Sequence, residues 1–373
     1  MKKNNIGHNN LKISLTILVF ILGFAVAYYV DWKDVDTDRD NEINTIFTQS
    51  DDVYFDPVLP NTPLQFPADF KSHLTFQHEK WMMTVNTINQ EGDSVGIQWT
   101  MFRISSDDRE TKGWLDPRLY ISKIVVTTKD GKWVGERLAR GGIGQAGVMS
   151  RPYRIWIDDW QWRSLGRTPF PGLFSAVSEN FSLKLSINSN SNPTPLGESG
   201  YSKKHELIPV ASYEYIFPFL TVRGNITLNN KVYTITGTGI LEHEWASGFL
   251  DDNQQGWDWF IINLSNNKKL LVTQYRHKDQ TPYRYGALLD KHGGFISLDE
   301  DDFTLQTLPA RQLKNGRKLP LQWIINVPKY NINLTTQVVR NEQWLDTLIP
   351  YWQGPITTTG SHEVTGFMQL TGY

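Results

Sequence analysis

Three acids and a histidine stand among tryptophans in one short part of this chain. Glu242, His243 and Glu244 run directly into Trp245, and Asp258 lies between Trp257 and Trp259. In an extended strand successive side chains point to opposite faces, so Glu242 and Glu244 share one face while His243 and Trp245 take the other. Two adjacent carboxylates out of water share a proton, the state an acid catalyst requires. The same cluster also reads as the charged end of a strand, its carboxylates paired with arginines across a domain interface. No second histidine stands at metal-ligand spacing, so no metal is expected unless a distant residue such as His73 joins the group.

Asp258 is the sharper single candidate. It shares its face with Phe260, Ile262 and Leu264, while Trp257, Trp259 and Ile261 occupy the other. A carboxyl in an apolar wall either keeps its proton or is held by partners. As a desolvated acid, Asp258 protonates a carbon–carbon double bond, with Trp245, Trp257 or Trp259 facing the developing cation. As a structural residue, it accepts hydrogen bonds from Tyr275, a tryptophan N–H or Arg276. The residues leave both readings open.

The elements that must position these groups are strands. Asn266-Asn267, read as a two-residue hairpin turn, places Asp258 opposite Tyr275 and sets Phe260 and Ile262 against Thr273 and Leu271. Earlier in the chain His73, Glu79 and Trp81 are expected to line the same cleft as ligand-binding residues. From Pro63 onward short alternating runs follow one another, separated by turn residues such as Lys129-Asp130-Gly131 and Asn229-Asn230. No long stretch keeps a helical period. The pattern predicts an all-β protein of sandwiches or barrels, in two units spanning 63–236 and 237–373. The glycine-rich Arg140–Gly147 run has no helix after it to complete a phosphate cradle, and no cofactor is expected.

Composition narrows the classes further. The net charge of -2 offers nothing to nucleic acid, and the absence of cysteine excludes disulfides and thiolate chemistry. Aromatics make up 13% of 373 residues, 14 of them Trp, which suits a cavity wall or ligand surface. Lys2, Lys3 and Lys12 precede an uncharged, mostly apolar run from Ile13 to Val30, so residues 1–30 read as a signal peptide or membrane anchor. Either reading exports the body of the protein to the periplasmic side of the inner membrane. Residues 31–62 are acidic and polar, a solvated linker.

Phe66-Pro67-Ala68-Asp69, His73, Glu79-Lys80-Trp81, Gly200-Tyr201-Ser202-Lys203, Ser212-Tyr213-Glu214-Tyr215, His243-Glu244-Trp245, Gly256-Trp257-Asp258-Trp259-Phe260, Tyr351-Trp352-Gln353-Gly354 and the final Leu370-Thr371-Gly372-Tyr373 carry a resemblance. In that order they resemble the AttH/carotenoid 1,2-hydratase (CrtC-like) family, often labelled predicted secreted hydrolases. The resemblance implies two successive lipocalin-like β-barrel domains with a ligand cleft between or within them. It also implies relatives that hydrate or cyclise unsaturated hydrophobic substrates. Lys80 stands where that family usually has a second tryptophan, Lys123 where a histidine is common, and Glu242 where an aspartate is common. Two functions follow as expectations: a hydratase-type enzyme acting on an isoprenoid or lipid-like ligand, or a non-catalytic lipid carrier serving an envelope export system. No Gly-x-Ser-x-Gly elbow supports a serine hydrolase.

Overall fold

The computed structural model describes residues 54–109, 111–265 and 267–373. The leader expected at 1–30 and the expected linker as far as residue 53 lie outside them. Among the described residues helix is limited to three single 3-10 turns, and no helix is long and apolar enough to cross a membrane. The rest is strand and turn, as the alternation predicts. Phe181–Ser189 illustrates why: Phe181, Leu183, Leu185 and Ile187 turn inward while Ser182, Lys184 and Ser186 turn outward.

Among the described residues two large sheets form, of thirteen and ten strands, with antiparallel pairing throughout. The first starts at an edge strand, Lys132–Arg140, and steps back through Arg118–Thr127, Ser94–Ser105 and His78–Asn89. It then crosses to Lys231–Ala246 and Ala211–Leu228 and continues through Phe181–Ser189 to Ala146–Ser150. Its ends curl together, bringing Arg137 to 3.7 Å from Asp158 and its guanidinium over the Trp160 ring. The interior is aromatic, built around Trp81, Trp99, Tyr153, Trp162, Phe174 and Trp245. The second sheet is centred on Gln254–Ser265, flanked by Lys268–His277 and Thr365–Thr371, and encloses Phe260, Ile262, Trp323, Trp352 and Leu370. This is the expected all-β, two-barrel architecture.

Three details differ from expectation. The 236/237 boundary falls inside the unbroken strand Lys231–Ala246, so the chain changes sheet only after Ala246. Tyr213–Phe217 and Leu220–Leu228, which the alternation predicts as two strands about Pro218, are one strand with a bulge between Phe217 and Leu220. In the hairpin at Asn266-Asn267, Ser265 does face Lys268, but a register shift between Ile262 and Ser265 follows. Asp258 therefore lies opposite Gln274 and Trp257 opposite Tyr275, while Phe260 and Ile262 face Val272 and Leu270. One extra residue in a bulge slips every pair beyond it.

The sheets meet through their outer faces. Met82, Ile216 and Ile240 of the first pack on Trp259, Ile261, Leu271 and Phe367 of the second. That is why His78–Asn89 is buried along almost its whole length: one face serves the first barrel and the other this contact. Polar bonds cross beside it, with Gln98 Nε2 donating to Gln353 O at 3.1 Å and Lys123 Nζ to Ile349 O at 2.7 Å.

Candidate active site

Glu214, Glu244 and Lys80 form a row across three neighbouring strands, because Glu214 pairs with Glu244 and Glu244 with Lys80 in the ladder. Directly opposed side chains sit close on one face of a sheet. Glu242, two residues before Glu244, joins them. The face that carries this row looks toward the second sheet, whose Trp257, Trp259, Tyr275 and Tyr285 form the opposite wall. Lys204, from the segment before Ala211–Leu228, closes the group. The result is a cluster of three buried carboxylates, the buried Lys204 and the partly buried Lys80 in an aromatic cleft.

The contacts divide the charges unequally. Lys80 Nζ lies 2.8 Å from Glu242 and 2.6 Å from Glu244. Lys204 Nζ also pairs with Glu244 and donates to Tyr275 Oη at 3.0 Å, and Ser212 Oγ donates to Glu244 at 2.7 Å. Burial alone would raise the Glu244 carboxyl, but Lys204 and Lys80 overcome it and hold Glu244 far below its ordinary value. Glu214 has the opposite balance. Burial, with the neighbouring Glu244 and Glu242 charges, pushes its carboxyl up to about 8 against the weaker pull of Lys204 and Lys80. Glu242 is also raised by burial, with Lys80 opposing, and its Oε2 has no hydrogen-bond partner. With both lysines charged, two carboxylates complete neutrality and a third charge in this dry site is resisted, which favours the protonated form of Glu214. The space left between these groups is about 30 Å³. A single water fills such a volume.

The expected site residues separate into three places. Glu242, Glu244, Tyr275, Trp257 and Trp259 do line the cleft. His73, Glu79, Trp81, His243 and Trp245 do not: alternation turns them into the first barrel. There His243 Nε2 lies 2.8 Å from Glu79 Oε1, His73 Nδ1 3.0 Å from the same oxygen, and Arg103 Nε donates to Oε2 at 2.9 Å. Tyr215 Oη is 2.9 Å from His243 Nδ1, Trp81 stacks on His243, and Trp245 on His73. Against burial, Arg103 and the two histidines hold Glu79 well below its ordinary value, while burial drives His243 down to about 4.

Asp258 lies in a third place, inside the second barrel with Phe260 and Ile262. Gln274 Nε2 and Tyr373 Oη donate to it at 2.8 and 2.9 Å, and Arg276 Nε lies 3.2 Å away. Burial raises its carboxyl, with Arg276, Gln274 and Tyr373 opposing. It does not reach the cleft, and Tyr275 points away from it, toward Lys204. The arginine pairing expected for the 242–244 cluster is replaced by lysine pairing. His73 does approach His243 and Glu79, with ligand atoms of all three within 4.8 Å, as are those of Glu214, Glu242 and Glu244. Each group already contains cations beside its carboxylates, Arg103 in one and two lysines in the other.

Glu214, Lys204 and Tyr285 were not singled out by residue pattern. For Glu214 the available signal was the hairpin at Asn229-Asn230, where Leu228 does face Lys231. Counted back without a bulge, that turn sets Glu214 on the His243 face. The bulge at Pro218-Phe219 moves it to the Glu244 face.

Comparison with known proteins agrees with this architecture. An AttH protein of Nitrosomonas europaea is 27% identical and superposes with a TM-score of 0.77, over 86% of this chain and 99% of that one. Kievitone hydratase of Nectria haematococca shares the fold at 10% identity and a TM-score of 0.63, over 88% of this chain and 98% of that one. A 98-residue segment is 30% identical to part of the UDP-N-acetylglucosamine–N-acetylmuramyl-(pentapeptide) pyrophosphoryl-undecaprenol N-acetylglucosamine transferase of Actinobacillus pleuropneumoniae, covering 23% of this chain. The chain spans about a quarter of the length of those curated relatives, 26%. The AttH-like family itself matches residues 57–373, from the first described loops to the last residue, and the chain belongs to that family.

Proposed function

We propose that the cleft hydrates an unsaturated hydrophobic substrate, or dehydrates the corresponding alcohol, with Glu214 as the proton donor. The observation that carries this is a buried carboxyl pushed up to about 8, with no ion pair of its own, facing tryptophan and tyrosine rings. At neutral pH such a group is a protonated acid in a site where water does not compete for its proton. In the hydration direction, the Glu214 proton adds to one alkene carbon and leaves a carbocation on the other. Trp257 and Trp259 stabilise that cation through their ring faces. Water adds to the cation, and its surplus proton passes to Glu242, whose Oε2 is free to accept, and from there back to Glu214. Lys80 and Lys204 keep Glu244 ionised throughout.

The size of the cleft bears on the carrier alternative. A small-molecule site usually offers ~300–1,000 Å³, whereas about 30 Å³ is open here. A lipid store needs a standing apolar cavity; a water-sized space beside an acid suits a site that opens for its substrate. Export and membrane attachment through residues 1–30 belong to the same proposal.

The test has two parts. Difference infrared spectroscopy of the full-length protein should show a protonated-carboxyl band that disappears with a midpoint near pH 8 and is missing in Glu214→Gln. Native mass spectrometry of the extracted protein then identifies any co-purifying ligand for turnover in isotopically labelled water. A Glu214→Gln protein that incorporates solvent oxygen at the wild-type rate ends the proposal.

A further inference from the structure

The ladder registers align one end of the first sheet. Leu119, Ile104, His78 and Ala246 are neighbours across four strands, and the adjoining pairs Trp245–Tyr213 and Tyr213–Tyr201 extend the line. The loops that leave this end are 106–117, 70–77, 247–253 and 204–210. They carry large apolar side chains left open by the described residues: Trp114 is 73% exposed, Leu115 79% and Leu207 76%. Ile208 and Leu59 are exposed beside them, Leu59 being tied to this end by the Tyr213 hydroxyl. The opposite end of the same strands turns on polar residues, Gln90-Glu91-Gly92-Asp93 and Asn229-Asn230.

We propose that this end is a membrane-docking surface, with Trp114, Leu115, Leu207 and Ile208 inserting into the interfacial layer of a lipid bilayer. Three observations select lipid over a protein partner. First, the apolar residues sit on separate loop tips spread over five strands, about 19 Å at the usual strand spacing. A fluid surface accommodates such an array, whereas a protein interface needs a continuous packed core. Second, the described chain begins at this end: Asp56 N donates to Thr75 O at 2.9 Å, and Ser247 Oγ to Asp56 O at 2.5 Å. The residues before it in sequence include the apolar run 13–30. Stable attachment generally takes two signals, and loop tips would supply the second. Third, the charges here show no excess of cations: Arg109 pairs with Asp107 and Arg118 with Asp116, and Lys71, Lys112 and Lys203 are at least matched in number by Asp108, Glu206, Asp251 and Asp252. Attraction to anionic headgroups is therefore not the driving force; burial of apolar tips is, with tryptophan at the headgroup level. The 204–210 and 247–253 loops also carry Lys204 and Phe249, which cover the cleft. The docked end is thus the end at which a substrate dissolved in the bilayer would enter.

The natural chain has no cysteine, so a single introduced one labels uniquely. The full-length protein is reconstituted in phosphatidylcholine vesicles with a nitroxide at Leu115→Cys or Leu207→Cys. Ile88→Cys and Val232→Cys, exposed at the opposite end, serve as controls. Collision rates with oxygen and with a water-soluble nickel chelate report depth. The expected result is oxygen-rich, nickel-poor labels at 115 and 207, nickel-accessible labels at 88 and 232, and little change when phosphatidylglycerol is added. Equal nickel access at all four positions overturns the proposal. So does shielding of 115 and 207 from both reagents: with spin–spin broadening it indicates a second copy, and without broadening a protein cover. None of these outcomes depends on whether Glu214 is an acid catalyst.

Discussion

Glu214 keeps its proton because every other charge in the cleft is already paired. Its folded value of about 8 lies above the ordinary 4.5, so between those two pH values the folded state binds a proton that the unfolded state releases. Stability from this group is therefore fully present below about 4.5 and is lost as pH rises through about 8. Glu214→Gln, which cannot ionise, should melt at least ~2 °C above wild type at pH 9, about 1 kcal/mol or more for a chain of this size. At pH 4 to 5 the two should converge; a gap that does not change with pH would place the proton elsewhere. Asp258 makes the contrasting case. Its three partners are Gln274 and Arg276 of the strand Lys268–His277 and Tyr373, and Asp258→Asn leaves Arg276 without its counterion. Breaking such a pair costs about 3 kcal/mol, the low end for buried pairs because Arg276 retains some exposure. Thermal unfolding should show that loss while the Glu214 carboxyl band remains. Retention of stability together with loss of the band would return Asp258 to the chemistry.

Strands bring these residues together, and the strand Lys231–Ala246 does most of it. Its first half runs along the outer wall of the first barrel, and its second half presents Glu242 and Glu244 to the cleft and His243 to the interior. Gly237 and Gly239 lie between the halves. A Cβ on Gly239 would collide with the carbonyl oxygen of Thr84 on the neighbouring strand, and one on Gly237 with that of Asn86. The two backbones approach more closely there than any side chain permits. Gly239→Ala should accordingly force the strands apart at a cost of about 1–3 kcal/mol, read as a lowered urea midpoint. An unchanged midpoint would show that the strand pair can yield without cost.

Across the whole molecule, two sheets are joined over a surface that contains lysines as well as hydrocarbon. Lys123 donates to Ile349 O, lies over the Tyr351 ring at 4.1 Å and meets no carboxylate at ion-pair distance among the described residues. Burial pushes its ammonium down to about 7, with Glu136 opposing weakly. Its unfolded value is near 10.5, so between the two the unfolded state binds the extra proton, and stability falls as pH drops from about 10.5 to about 7. Below about 7 the penalty is constant. Lys123→Met should therefore gain stability over wild type as pH falls through that window, by roughly 1–3 kcal/mol in full after the lost hydrogen bond is counted, and plateau below it. Denaturant titrations at several pH values measure this. A gain that keeps growing below pH 6 would point to another group.

What the chain determines by itself is local: alternation, turn type and which neighbours share a face. Those rules place Trp257 and Trp259 together on one wall, separate Glu242 and Glu244 from His243, and predict an all-β protein of sandwich- or barrel-type units from turn residues between short runs. The turns at Asn229-Asn230 and Asn266-Asn267 also start their ladders in the register a two-residue loop requires. What only the tertiary structure decides lies beyond the bulges at Pro218-Phe219 and at Asn263-Leu264. A single extra residue reverses the parity of every pair that follows, sending Glu214 to the cleft and putting Gln274, not Tyr275, across from Asp258. Nothing in either strand's composition marks the slip, because these central strands are buried on both faces and either register hides their apolar residues. The side that each face meets is settled by how the two barrels pack. That contact is why Asp258, so conspicuous between tryptophans, closes a barrel while Glu214, set between tyrosines, faces the cleft.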